Sequence, residues 1–168
     1  MNEPEAPAMT LDHAGIAALI PHSGSMCLLH SMQQHSAERI HCSATSHLDP
    51  LNPLRYAGAL WAAAAIEYAA QAMALHGALN SARDGAGAAQ LQSSATEPKA
   101  GYLASVRSVR LRVPRLDSVA GALQVQAWLL AGDPQQALYG FSLHSQAGEL
   151  LADGRATVIM NAALMNPP

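Results

Sequence analysis

The stretch Leu60–Leu79, LWAAAAIEYAAQAMALHGAL, decides how the whole chain is read. It contains no proline and no glycine before Gly77, and it is rich in alanine, the strongest helix former. Apolar residues surround the helix almost completely, so it is expected to be buried on most sides. Three polar residues interrupt it: Glu67, Gln71 and His76. A membrane span tolerates such residues poorly, so a helix buried inside a soluble domain is the better reading.

Outward from this helix the pattern changes on both sides. Upstream, Thr10–Ile20 has a Thr cap, Asp12 in its first turn and apolar residues at helical spacing, and Pro21 ends it. Met26–Met32 and Arg39–Thr45 read as two strands around a polar turn at Gln33–Glu38. His47–Gly58, with two prolines and a glycine, reads as a loop. Downstream, Asn80–Ala100 is small and polar and reads as a mobile linker. Four strand-like segments follow, Tyr102–Val113, Ala122–Leu130, Ala137–His144 and Leu150–Met160. Turn clusters separate them at Pro114–Gly121, Gly132–Gln135 and Gln146–Glu149. Val109, Leu111 and Val113 alternate with Arg110 and Arg112, predicting one buried and one wet face. A long apolar helix followed by an antiparallel meander suggests an α+β domain whose sheet wraps around that helix. The expected organisation is one domain over 10–160, with the linker at 80–100 inside it and loose tails at 1–9 and 161–168.

Composition narrows the function. The 168 residues suit a single domain and are 50% hydrophobic but only 12% charged. This excludes a disordered chain. Nine Lys+Arg against twelve Asp+Glu give a net charge of -3, which argues against a nucleic-acid binder. So few charges suggest that another subunit covers part of the surface. Cys27 and Cys42 do not make a disulfide framework, and Met1–Met9 lacks the basic start and apolar stretch of a secretory leader. The expected compartment is the cytoplasm, with reduced thiols.

Two residues stand out for chemistry. His47 opens the proline-rich loop that leads into the long helix, and loops held by a rigid scaffold are where function concentrates. The other histidines read as surface or strand-edge residues, and their spacing shows no zinc pattern. Glu67 is the only carboxylate in an apolar helix. It either acts as an acid whose pKa burial raises, or faces water with Gln71 on a narrow polar stripe at i, i+4 spacing. Lys99, Arg107, Arg110, Arg112 and Arg115 are five of the nine cations and lie in one stretch. They form either a docking stripe for an acidic partner or a solvated strand face.

These elements and motifs together resemble the hotdog fold and the 3-hydroxyacyl-acyl-carrier-protein dehydratases. Leu19–Leu29 (LIPHSGSMCLL) is similar to that family's opening segment, and Ser46–Pro50 (SHLDP) stands where the family has Gly-His-Phe-Pro. Glu67–Gln71 (EYAAQ) looks like its helix motif. Tyr102–Val106 and Leu151–Ile159 look like its third and closing strands. More specifically, Asn52–Arg55 (NPLR) and Ile66–Ala74 (IEYAAQAMA) resemble the small dehydratases of aryl polyene gene clusters.

The resemblance implies a mechanism without metal or redox cofactor. His47 would remove the C2 proton and Glu67 would help the C3 hydroxyl leave, the two coming from different subunits of a dimer. Ala62, at the helix start, would offer its N–H to the thioester carbonyl. Trp61, Gln71 and Arg55 would lie around the substrate, and Arg107, Arg110 and Arg112 would dock the acidic carrier. Where the family has Pro-Gly, this chain has Trp61-Ala62. The partners implied are an acyl carrier protein and a second hotdog subunit, identical or related. The leading expectation is a dehydratase giving a trans-2-enoyl thioester, in fatty acid or polyene synthesis. The alternatives are a hotdog thioesterase and a non-catalytic, dehydratase-like partner subunit.

Overall fold

In the computed structural model, residues 9–84, 101–133 and 135–159 are described. The elements in chain order are α1 (His13–Ala17), β1 (Ser31–His35), β2 (Arg39–Ala44), α2 (Ala65–Asp84), β3 (Tyr102–Leu111), β4 (Leu123–Gly132), β5 (Gln136–His144) and β6 (Leu150–Ile159). Short 3-10 turns lie at Gly24–Met26, Ser46–Leu48 and Ala62–Ala64. The six strands form one sheet in the order β1-β2-β4-β5-β6-β3, antiparallel throughout.

The long helix is where the sequence places it, and it packs against β2, β4 and β5. From Ala65 to Asn80 no residue is exposed. Ala65, Ala69 and Ala72 are small enough to bring the helix close to the sheet, while Tyr68, Met73, Leu75 and Leu79 fill the space around them. Facing them are Ile40, Cys42, Leu123, Val125, Phe141 and Leu143, all buried. Burying each of the larger side chains contributes about 2 kcal/mol, which outweighs the modest intrinsic preference of the helix. Among the described residues no helix is long and apolar enough to cross a membrane.

Several boundaries differ from expectation. α1 starts at His13 because Asp12, not Thr10, caps it, accepting a hydrogen bond from the Gly15 N–H. The first strand begins at Ser31 rather than Met26, and it takes in Gln33–His35 from the predicted turn. Asn80–Asp84 belongs to α2 rather than to a linker. The remainder of that expected linker, and the tails apart from Met9, lie outside the described residues.

The largest difference concerns β3. It pairs with β6 at the far edge of the sheet, not with β4, its successor in the chain. Its alternation is broken: the register shifts between Arg107 and Arg110, where Ser108 adopts φ 54°. Leu103, Val106 and Leu111 sit opposite the buried Val158, Ala156 and Ala152, so they share the inner face of the sheet. Leu111 is nevertheless 45% exposed, because α2 does not reach this edge.

At the far end of α2, His76 is wholly buried and satisfied on both nitrogens. Its Nε2–H donates to the Ser36 carbonyl at 3.0 Å, and its Nδ1 accepts from the Tyr139 hydroxyl at 2.9 Å. Burial lowers its pKa from the ordinary 6.5, with His35 acting the same way and Glu38 opposing. The unfolded chain therefore binds a proton that the folded chain refuses, and stability falls as pH drops through 6.5 toward the folded value. Urea midpoints measured at pH 7, 6 and 5 are expected to decline in that order. His76→Gln is expected to lower the midpoint at pH 7 and to flatten the decline.

Candidate active site

Glu67 lies in the first turn of α2 and is partly exposed. Its Oε1 accepts two hydrogen bonds, from His22 Nε2 at 3.1 Å and from Gln71 Nε2 at 3.0 Å. The His22 bond pulls the carboxyl below its ordinary pKa; burial acts the other way and the Gln71 bond adds to the lowering. Gln71 is buried, which rules out the water-facing stripe. Its Nε2 also donates to the Met26 carbonyl at 2.7 Å, and its Oε1 accepts from the Leu28 N–H at 2.8 Å. The segment 26–28 reaches these groups because Gly24 takes φ 57°, in the left-handed region, and turns the chain after His22.

His47 sits in the Ser46–Leu48 turn and is fully buried. Its Nε2 contacts the Val119 carbonyl at 3.1 Å. A carbonyl only accepts, so Nε2 carries the hydrogen and the neutral ring keeps its lone pair on Nδ1. Nδ1 is buried and has no partner among the described residues. Burial lowers the pKa of the ring, while the Val119 bond and the nearby Asp117 carboxylate raise it. Asp117 is itself held by Arg55 at 2.8 Å and by Arg115 at 2.8 and 2.9 Å, and the Arg115 bonds lead in keeping its carboxyl well below the usual range.

Within one chain His47 and Glu67 do not touch, yet one hydrogen-bonded path joins their surroundings. Asn52 donates to the Ser46 carbonyl at 2.8 Å and to the Tyr68 hydroxyl at 3.1 Å. Ser46 Oγ donates to the Leu28 carbonyl at 2.8 Å, so at the 2.9 Å contact it accepts from Tyr68. Leu28 is thus held by Ser46 through its carbonyl and by Gln71 through its N–H. Tyr68 and Gln71 both come from α2, so the helix that carries Glu67 also fixes the turn that carries His47.

The other expected site residues fare differently. The Ala62 N–H is not free: it donates to the Pro114 carbonyl at 3.0 Å, because Leu60–Ala62 pairs with Pro114–Leu116 through the Trp61–Arg115 bridge and the Leu116 N–H. The neighbouring Ala63 N–H has no acceptor among the described residues. Trp61 is 46% exposed and bonds the Tyr56 carbonyl through its ring N–H. Arg55 is engaged by Asp117 and the Gly58 carbonyl rather than directed at Glu67. Arg110 and Arg112 converge on one carboxylate, Asp153, at 2.8 and 3.1 Å, so they do not form a free stripe. Arg107 stands opposite Arg155 across the β3–β6 pair, with no ion-pair partner among the described residues.

His22 was not singled out in the sequence. It lies within the Leu19–Leu29 motif, but no spacing rule links that motif to Glu67. Cys27 lies 3.9 Å from His13 Nδ1, but that nitrogen already donates to the Leu29 carbonyl at 2.7 Å and so cannot activate the thiol.

A family model described as ApeP-like, ApeP dehydratase, matches residues 14–166. No curated protein matches the chain. Among solved structures, the dehydratase heterocomplex ApeI:P from Xenorhabdus doucetiae is 25% identical, covers 90% of this chain and 97% of that chain, and has a TM-score of 0.74. A thioesterase from Haemophilus influenzae is 13% identical, with 90% and 92% coverage and a TM-score of 0.59. The PaaI protein of the E. coli phenylacetic acid degradation operon is 16% identical, with 76% and 80% coverage and a TM-score of 0.50. The last two share the fold alone. The architecture is the hotdog fold, α+β, with the sheet wrapped around the long helix.

The hydroxyl of Tyr68 is the joint of the path between the two candidate groups. Tyr68→Phe is expected to cost about 1–3 kcal/mol, because buried polar groups lose a partner. Urea unfolding of the variant beside the parent checks this.

Proposed function

Because the chain belongs to the ApeP-like dehydratase family, we propose that it removes water from a 3-hydroxyacyl thioester on an acyl carrier protein, giving the trans-2-enoyl thioester. One observation carries the reading: among the described residues each candidate group presents a single unpartnered atom, Nδ1 on His47 and Oε2 on Glu67. Nδ1 is the base of a neutral imidazole and takes the C2 proton. The released electron pair forms the C2–C3 double bond, and the C3–O bond breaks as Oε2 of Glu67 gives the hydroxyl a proton. The exposed Ala63 N–H, at the positive end of α2, takes the role expected of Ala62 and polarises the thioester carbonyl.

The two groups belong to different subunits in this reading. Leu51 is 83% and Tyr56 77% exposed, both in the loop between His47 and α2, and the inner face of β3 is uncovered by its own helix. Apolar surface of this kind calls for a second subunit. The similarity to a dehydratase heterocomplex favours a related hotdog chain as that subunit, with an identical chain as the other case. Such a subunit would dry the Glu67 site further and so move its carboxyl upward, toward the range of a working acid. Carrier docking passes from the expected trio to Arg107 together with Arg155, a facing pair of cations that no carboxylate among the described residues holds.

A second reading is a subunit that shapes its partner's site without turnover. The commitment of the Ala62 N–H to Pro114 favours it. Site variants of this chain separate the two. His47→Ala and Glu67→Gln, each combined with the second subunit, are expected to retain the fold and to lose dehydration by about 100-fold or more. Full dehydration rates in either variant would remove that residue from the mechanism. Free acid and free thiol as products would assign the chain to thioester hydrolysis instead.

A further inference from the structure

Glu67 receives both of its hydrogen bonds on one oxygen. His22 and Gln71 converge on Oε1, and no described group bonds Oε2. A carboxyl group held this way is asymmetric: negative charge is stabilised on Oε1, and a proton belongs on Oε2. Gln71 alone could supply one such bond. His22 supplies the second from a different part of the chain, the turn after α1.

The histidine ring makes no other hydrogen bond among the described residues. Its Nδ1 is buried and without a partner among the described residues. A neutral ring with its hydrogen on Nε2 leaves only a lone pair there. The geometry therefore sets two donors on Oε1 and leaves Oε2 as the oxygen on which a proton can be carried. Among the described residues no other charged side chain pairs with either group.

We propose that His22 is a positioning residue for the acid: it pins Oε1, leaves Oε2 as the atom that gives the proton to the departing hydroxyl, and holds the charge that remains. This rests on the dehydratase reading above. When Oε2 gives up its proton the pair of electrons stays on the carboxylate, and its charge is drawn to Oε1 between the His22 and Gln71 donors. The C2 proton goes to His47, the C3–O bond breaks, and water leaves. Proton return from His47 through solvent restores the carboxyl, so the cycle needs no other reactant. His22 never contacts the substrate in this scheme and acts only through Glu67.

The test uses His22→Phe and His22→Gln in the complex with the second subunit, with two readouts. One is the titration of the Glu67 side-chain carbon by NMR, assigned with Glu67→Gln. The other is kcat and KM for a 3-hydroxyacyl carrier thioester. His22→Phe removes the donor that holds the carboxyl down, so its midpoint is expected to rise by roughly one pH unit. The same variant is expected to lose kcat by about tenfold or more with little change in KM. His22→Gln keeps an N–H donor and is expected to recover most of both. An unmoved midpoint overturns the inference, whether or not the enzyme turns over. A loss of kcat with an unmoved midpoint and no rescue by Gln shows a purely structural role and overturns it as well. A moved midpoint with full kcat overturns the catalytic part. If the parent complex fails to dehydrate while the midpoint moves, the dehydratase reading falls and the hold of His22 on the carboxyl stands.

Discussion

The buried amide of Gln71 is the constraint on which the rest of the site depends. A fully buried amide must place its donors and acceptor or lose several kcal/mol. Gln71 does so by bonding the Met26 carbonyl, the Leu28 N–H and Glu67. These bonds tie the central helix to the segment that follows His22. Leu28 passes the tie on through Ser46 to the turn holding His47. The helix thus orients Glu67 directly and His47 through the segment at Leu28, while apolar packing of its other sides fixes it inside the sheet.

Much of this was legible in the chain. The absence of helix breakers and the wealth of alanine in Leu60–Leu79 announce a buried helix, and the i, i+4 spacing of Glu67 and Gln71 already places the two in reach. The turn clusters after Gly101 mark the strands to within a few residues. Three features were not legible, each for a physical reason. β3 crosses to the far edge because strand order follows non-local pairing, which hydrophobic period does not encode. Leu111 faces inward as its alternation predicts but stays 45% exposed, because α2 does not reach the edge to which β3 has moved. The Ala62 N–H is taken by Pro114 through a bridge between segments more than fifty positions apart, which no local pattern announces. His22 escaped for the same reason, since its partner lies on another element.

Scarce charge, read first as a covered surface, has a more detailed meaning in the folded chain. Asp117 and Asp153 each hold two arginines, so Arg110, Arg112 and Arg115 are all paired, with one positive charge left over at each carboxylate. What is left open is an apolar β3 face, an exposed loop of Leu51 and Tyr56, and the facing pair Arg107 and Arg155. In the proposed reading a single chain carries two half-sites, His47 and Glu67, each with an atom unpartnered among the described residues.

The central claim is that this chain, with a second hotdog subunit, takes water from a carrier-bound 3-hydroxyacyl thioester. Intact mass spectrometry of the loaded carrier after incubation with the complex measures it directly. The account predicts that the carrier loses the mass of one water and keeps its acyl chain. A carrier of unchanged mass, or one stripped of the whole acyl group, would contradict it.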